Sequence, residues 1–176
     1  LGHEVSLRSE FGKGSCFEVL VPRATAGPVA GVAPAAVESR TATSIDRQFV
    51  ICVDNEQDIL DGMEGLLTKW GARPMVANTE QAALQALEKI QAEYDQAPAL
   101  LLVDYHLDDN VTGLEVITAL REAAGSELPA AILTADHSTE ISDRVRDAGH
   151  ALLHKPIKPA ALRALINRIL SRRIFF

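Results

Sequence analysis

From Phe49 onward the chain alternates short unbroken apolar runs with longer stretches whose apolar residues recur every three or four positions. Phe49–Val53 is apolar throughout and stops at Asp54, which suits a strand buried on both faces. Ile59, Leu60, Met63, Leu66, Leu67 and Trp70 follow at helical spacing, and Gly71 supplies a stop. Pro74–Ala77 predicts a short second strand. Asn78 or Thr79 can cap a helix carrying Ala83, Leu84, Leu87 and Ile90 on one face. Leu100–Val103 repeats the first motif and also ends in an aspartate, Asp104, ahead of a helix over Gly113–Ala124. Ala130–Leu133 runs into Thr134, and a more polar helix covers Ser138–Ala148. Ala151–Leu153 leads to His154, Lys155 and Pro156, and Pro159 opens a last helix with Leu162, Leu165, Ile166, Ile169 and Leu170 as its core stripe. Five strands and five helices in strict alternation predict an α/β fold: a doubly wound, five-stranded parallel sheet with helices on both faces.

The first 47 residues are different material. Residues 1–22 alternate polar and apolar positions around Gly12-Lys13-Gly14 and end at Pro22, which predicts a β-hairpin. Residues 23–47 are rich in Ala, Gly and Pro and show no periodicity. So little large apolar surface cannot offset the entropy of ordering the chain, so this stretch reads as a flexible linker. The expected organisation is 1–22, 23–47 as linker, and 48–176 as the α/β domain.

Composition narrows the function. Of 176 residues, 47% are hydrophobic and 23% charged, a globular balance. Seventeen basic against 24 acidic side chains leave a net charge of -7, which argues against a nucleic-acid binder. The Ala-, Gly- and Pro-rich run Gly27–Val37, free of charged or strongly polar residues, is far short of the roughly 20 residues that span a bilayer. No signal-peptide pattern opens the chain, so the expectation is a cytoplasmic protein without membrane contact. Cys16 and Cys52 lack metal-ligand or redox spacing and read as reduced, buried thiols.

Ligands of such a sheet bind outside the carboxyl ends of its strands. Those ends here read Asp54-Asn55-Glu56, Asp104, Thr134 and Lys155-Pro156. Each residue alone has a plain explanation, since Asp and Thr after strands commonly form turns and a surface lysine is usually solvated. Together they bring carboxylates, a hydroxyl and an ammonium to one small area. Facing carboxylates need a proton, a cationic side chain or a divalent metal. An all-oxygen ligand set suits Mg²⁺, which keeps several waters and leaves room for a phosphate. The loop after the first strand, Asp54-Asn55-Glu56-Gln57-Asp58, is acidic and glycine-free, which argues against dinucleotide, flavin and P-loop sites.

On these residues the stretch 49–171 resembles the receiver domain of two-component response regulators, with its flavodoxin-like fold. The resemblance implies that Asp104 accepts a phosphoryl group from a phosphohistidine on a kinase or phosphotransfer domain, with Mg²⁺ (or Mn²⁺) as cofactor. It implies metal contacts from Asp54, the Asn55 position, Asp104 and the His106 backbone carbonyl. Thr134, small Ala135 and Lys155 would bind the phosphoryl group. It also implies readout, and a possible homodimer, through the fourth helix, fifth strand and fifth helix, residues 138–170. The sequence departs from the family at three places. Asn55 replaces the second acid of the metal pair, so either metal binding is weaker or Glu56 compensates. Leu152 stands where the family carries a switch aromatic. Leu107–Gly113 replaces a shorter Pro-containing turn and adds Asp108 and Asp109.

Residues 1–22, with Leu1-Gly2-His3-Glu4-Val5 and Gly12-Lys13-Gly14-Ser15-Cys16-Phe17, are similar to the last hairpin of a histidine-kinase ATPase domain. The order hairpin, linker, receiver implies a hybrid histidine kinase whose ATP-binding boxes lie upstream. This fragment would then be no kinase, only a self-phosphorylating and slowly self-dephosphorylating receiver. The alternative is a receiver-like interaction module that works without phosphorylation, to which Asn55 and Leu152 give weight. A dehalogenase-type phosphatase would need an aspartate where His106 stands. The Arg163, Arg168, Arg172 and Arg173 face reads as solvated, and His137, His150 and His154 read as no metal ligands through their side chains.

Overall fold

The computed structural model describes residues 4–10, 14–20, 45–107 and 111–171. The chain divides into two compact units, Leu1–Glu38 and Ser39–Phe176. In the first, β1 (Glu4–Glu10) and β2 (Gly14–Leu20) form the expected antiparallel hairpin, with Leu7 opposite Phe17. Residues 23–44 of the expected linker lie outside the described residues, as do Gly12, Lys13, Asp108, Asp109, Arg172 and Arg173.

The second unit runs β3 (Phe49–Val53), α1 (Gln57–Lys69), β4 (Arg73–Ala77), α2 (Glu80–Tyr94), β5 (Leu100–Asp104), α3 (Gly113–Ala124), β6 (Ala130–Thr134), α4 (Thr139–Asp147), β7 (Ala151–His154) and α5 (Pro159–Ser171). Every element expected of this domain is present. The five strands pair in parallel in the order β4-β3-β5-β6-β7. Sequence order reverses between β4 and β5, on either side of β3, which is where such sheets open a crevice. Strands β5, β6 and β7 each take in one residue more than the apolar runs suggest, so Asp104, Thr134 and His154 are the last strand residues.

All five positions of β3, β5 and β6 are buried, because helices cover both faces. Alternate side chains sort into two cores. Ile51, Val53, Leu101, Val103 and Ile132 pack with Leu87 and Ile90 of α2, Ile117 and Leu120 of α3, and Ile141 and Val145 of α4. Val50, Cys52, Leu100, Leu102 and Leu133 pack with Leu60 and Leu67 of α1 and Leu162, Ile166 and Leu170 of α5. Ile45, fully buried, joins this second core. No described helix is long and apolar enough to cross a membrane.

Local chemistry sets where the helices start. Thr79, rather than Asn78, caps α2: its Oγ1 accepts the Ala82 amide at 3.2 Å. Thr112 and Glu115 form a reciprocal capping box on α3, and the Ser138 hydroxyl oxygen accepts the Ile141 amide at the start of α4. These caps end two of the loops that frame the candidate site.

Candidate functional site

Three strand ends make the same turn. Asp54 Oδ1 accepts the Glu56 amide at 3.0 Å, Asp104 Oδ2 accepts the His106 amide at 3.0 Å, and Thr134 Oγ1 accepts the Asp136 amide at 3.1 Å. Short oxygen-bearing side chains favour this local bond, which turns the backbone out of the strand. Each turn pins one side-chain oxygen and lifts the residue two positions on to the rim. The rim therefore carries Glu56, His106 and Asp136, while Asp54, Asp104 and Thr134 are buried beneath it at 2%, 5% and 0% exposure.

Lys155 supplies the counter-charge. It follows the last residue of β7, and its amide donates to the Thr134 carbonyl at 2.7 Å. Its Nζ lies 2.7 Å from Asp54 Oδ2, 2.8 Å from Asp104 Oδ1 and 3.8 Å from Glu56 Oε1. Burial alone would pull the ammonium down, but the contacts and charges of Asp104 and Asp54 outweigh it and hold the lysine above its ordinary range. Asp104 moves the other way relative to its stability as an anion. Burial pushes its carboxyl up, Asp54 adds to that, and the opposing pull of Lys155 and the His106 amide does not cancel it. One ammonium cannot neutralise two buried carboxylates, so the pocket keeps a net negative charge.

That deficit bears on whether a divalent cation fits. Asp54 Oδ2 is buried and makes no directed hydrogen bond; what faces it is the Lys155 charge. Among the described residues no group of three or more His, Cys, Asp and Glu side chains gathers as a cage for a metal. A hard cation that keeps most of its waters needs only one or two carboxylates, so Asp54 and Asp104 match Mg²⁺ and not a fully protein-bound metal. Asn55 is exposed, and Glu56, 66% exposed at its side chain, reaches towards Lys155.

Of the other candidate positions, Ala135 is exposed beside buried Thr134, which leaves the mouth open. Leu152 packs against the core that holds α4. Two features escape sequence reasoning. His137 and His154, far apart in sequence, stack with ring centroids 4.5 Å apart, and His154 Nδ1 is buried without a hydrogen-bond partner. Gly113 is the second: a Cβ there would collide with the backbone carbonyl oxygen of Asp104, and the Gly113 amide donates to the Tyr105 carbonyl at 2.9 Å. Its place directly after Thr112 in the loop following Asp104 is the sole sequence signal of that close approach. Cys52 is buried as expected, and burial first, then the charge of Asp54, pushes its thiol up to about 12.

Known proteins share this fold. The family model for the response regulator receiver domain matches residues 50–167, and the chain belongs to that family. Among solved structures, a CheY-like response regulator receiver domain protein from Methanospirillum hungatei JF-1 is similar at 25% identity and a TM-score of 0.61, over 73% of this chain and 98% of that one. The chemotaxis protein CheY4 of Vibrio cholerae gives 23% and 0.61, over 70% and 99%. A receiver domain protein from Clostridium thermocellum gives 19% and 0.61, over 72% and 97%. No curated protein matches the chain.

Proposed function

We propose that this chain is a phosphoacceptor of a two-component relay, in which Asp104 takes a phosphoryl group from a phosphohistidine on a kinase or phosphotransfer domain. The observation that carries the reading is the buried Asp104 carboxylate, held by the His106 amide on one oxygen and by Lys155 at 2.8 Å on the other. The carboxylate oxygen attacks phosphorus, the P–N bond to the donor imidazole breaks, and the imidazole leaves with the electron pair. Asp54, Asp104 and the His106 backbone carbonyl would hold Mg²⁺ (or Mn²⁺), which supplies charge neutralisation for the incoming phosphoryl oxygens. Lys155 then pairs with one of those oxygens, and the Thr134 hydroxyl donates to another. Exposed Ala135 leaves the donor room to approach.

The reading extends in two directions. α4, β7 and α5 form the responding face, with a second copy of this chain as the expected partner. The β1–β2 hairpin is the end of a histidine-kinase ATPase domain, which makes the parent protein a hybrid kinase. Support for the latter is the Gly12-Lys13-Gly14-Ser15 motif ahead of the receiver unit and the hairpin built around it. Incubation with Mg²⁺ and acetyl phosphate tests the core of the proposal. A phosphate-sized gain in intact mass that maps to Asp104 supports it, and a chain that gains nothing at saturating donor and metal points to a phosphorylation-independent interaction module. Equal sedimentation of free and phosphorylated chain would remove the dimer from the account.

A further inference from the structure

The segment that follows the acceptor is clamped by the start of α3. His106 and Thr112 face each other as an isolated antiparallel pair. On either side of that pair the Leu107 amide donates to the Val111 carbonyl at 3.2 Å, and the Gly113 amide donates to the Tyr105 carbonyl at 2.9 Å. Both bonds join the neighbours, so the paired residues turn their own amides and carbonyls away from each other. The two amides show it. That of His106 meets Asp104 Oδ2 at 3.0 Å, and that of Thr112 meets Glu115 Oε2 at 2.7 Å. The His106 carbonyl is therefore carried on the acceptor's side of the segment, and a backbone carbonyl has no rotation of its own with which to change its aim. Leu107 and Val111 pack against the core shared by α2, α3 and α4, and Gly113 lies so close to the Asp104 carbonyl that a Cβ would collide with it.

We propose that Thr112 and Glu115 are positioning residues for the divalent cation: by fixing the segment 111–113 they aim the His106 carbonyl at the metal that Asp54 and Asp104 would hold. This inference rests on the metal site of the phosphoacceptor reading and adds the groups of this chain that shape it. Glu115 ties Thr112 down twice, since its Oε2 also accepts the Thr112 hydroxyl at 2.8 Å. The Thr112 amide and hydroxyl in turn hold the Glu115 carboxyl below its ordinary range. Two features of this chain give the carbonyl added weight. Asn55 stands in place of the second acid, so Asp54 and Asp104 carry the charge and a neutral carbonyl completes the set. Leu107–Gly113 also departs from the family's shorter turn, so the aim of that carbonyl is set by contacts of its own. A hard cation that keeps most of its waters has few protein ligands over which to spread a loss.

The test is Mn²⁺ binding to the whole, unphosphorylated chain, read from the loss of the free-ion EPR signal. Wild type, Asp54→Asn, Glu115→Ala, Glu115→Gln and Thr79→Ala are compared, each first checked for folding by urea unfolding. Glu115 is exposed, so its variants should fold. Glutamine keeps an oxygen for the Thr112 amide and drops the charge, which separates orientation from simple attraction of the ion. Thr79→Ala removes the cap of α2 and controls for a helix start lost elsewhere. Affinity should fall roughly tenfold in Glu115→Ala, the low end of what losing a group that orients a metal ligand costs. It should stay near wild type in Glu115→Gln and Thr79→Ala, and be lost in Asp54→Asn. Wild-type affinity in Glu115→Ala, or an equal fall in Glu115→Gln or Thr79→Ala, overturns the inference and leaves the metal site standing. No binding by wild type, or binding that Asp54→Asn does not weaken, overturns the metal site as well.

Discussion

The Lys155 ammonium sits 2.8 Å from the Asp104 carboxylate, and both groups are almost closed off from solvent, at 12% and 7% side-chain exposure. Such a pair gains strongly from its short distance but has lost most of its hydration. Its energetic meaning follows from what else is there. Asp54 shares the same ammonium, so removing the lysine leaves two buried carboxylates facing each other.

Lys155→Met should therefore cost about 3 kcal/mol of stability at pH 7, as breaking a buried pair does. The loss depends on pH in a definite sense. Without the ammonium the carboxylates of the folded chain are harder to ionise than in the unfolded chain, so the fold binds the extra proton and gains stability as pH falls. Urea unfolding at pH 7 and pH 5 should show the deficit shrinking in acid. In wild type the lysine is held above its ordinary 10.5, so its stabilising contribution is full below that value and fades only as pH rises through the higher folded value. A variant equally destabilised at both pH values would contradict this.

Asp104→Asn should act oppositely. Burial pushes the Asp104 carboxyl up, which means that its charged form at neutral pH costs the fold stability. Asparagine keeps the shape and drops the charge, and a gain of about 1 kcal/mol is expected, the common trade of stability for function. Thermal unfolding at pH 7 reads it directly. A clear fall in Tm would show that the carboxylate is a net stabiliser instead.

Gly113→Ala should disturb the acceptor from behind. The added methyl meets the Asp104 carbonyl oxygen and the Ile132 side chain, and backbone cannot yield as a flexible side chain does. Overpacking of this kind costs about 1–3 kcal/mol. Denaturant midpoints should fall accordingly, whereas Gly62→Ala, in open space on α1, should raise stability by removing a helix-interior glycine. Equal effects of the two substitutions would contradict the close approach at Gly113.

Cys52 should not react in the native chain. With its thiol raised to about 12 inside the α1–α5 core, the thiolate that attacks an alkylating agent is scarce at pH 8 and is also shielded. Peptide mapping after iodoacetamide should find Cys52 unmodified until urea unfolds the domain. Rapid modification under native conditions would show that this core opens.

Strand ends made the site legible from sequence alone, because an apolar run that must be buried stops where a polar residue begins. Asp54, Asp104, Thr134 and Lys155 follow four such runs, and parallel pairing brings them to one edge. Contacts that depend on loop conformation left no periodic trace. The His137–His154 stack joins the loop before α4 to the last residue of β7. Gly113 looks like an ordinary first helical residue, and the Thr112–Glu115 capping box ahead of it is a feature the hydrophobic pattern does not carry. The capping choice between Asn78 and Thr79 rested on a hydrogen bond to Ala82 that composition cannot decide.

The most direct measurement is the intact mass of this chain and of Asp104→Asn after incubation with Mg²⁺ and acetyl phosphate, with and without excess chelator. The expected result is a phosphate-sized gain in wild type that requires the metal and is absent from the variant. Equal labelling of both chains, or none of wild type at saturating donor and metal, would contradict Asp104 as the phosphoacceptor.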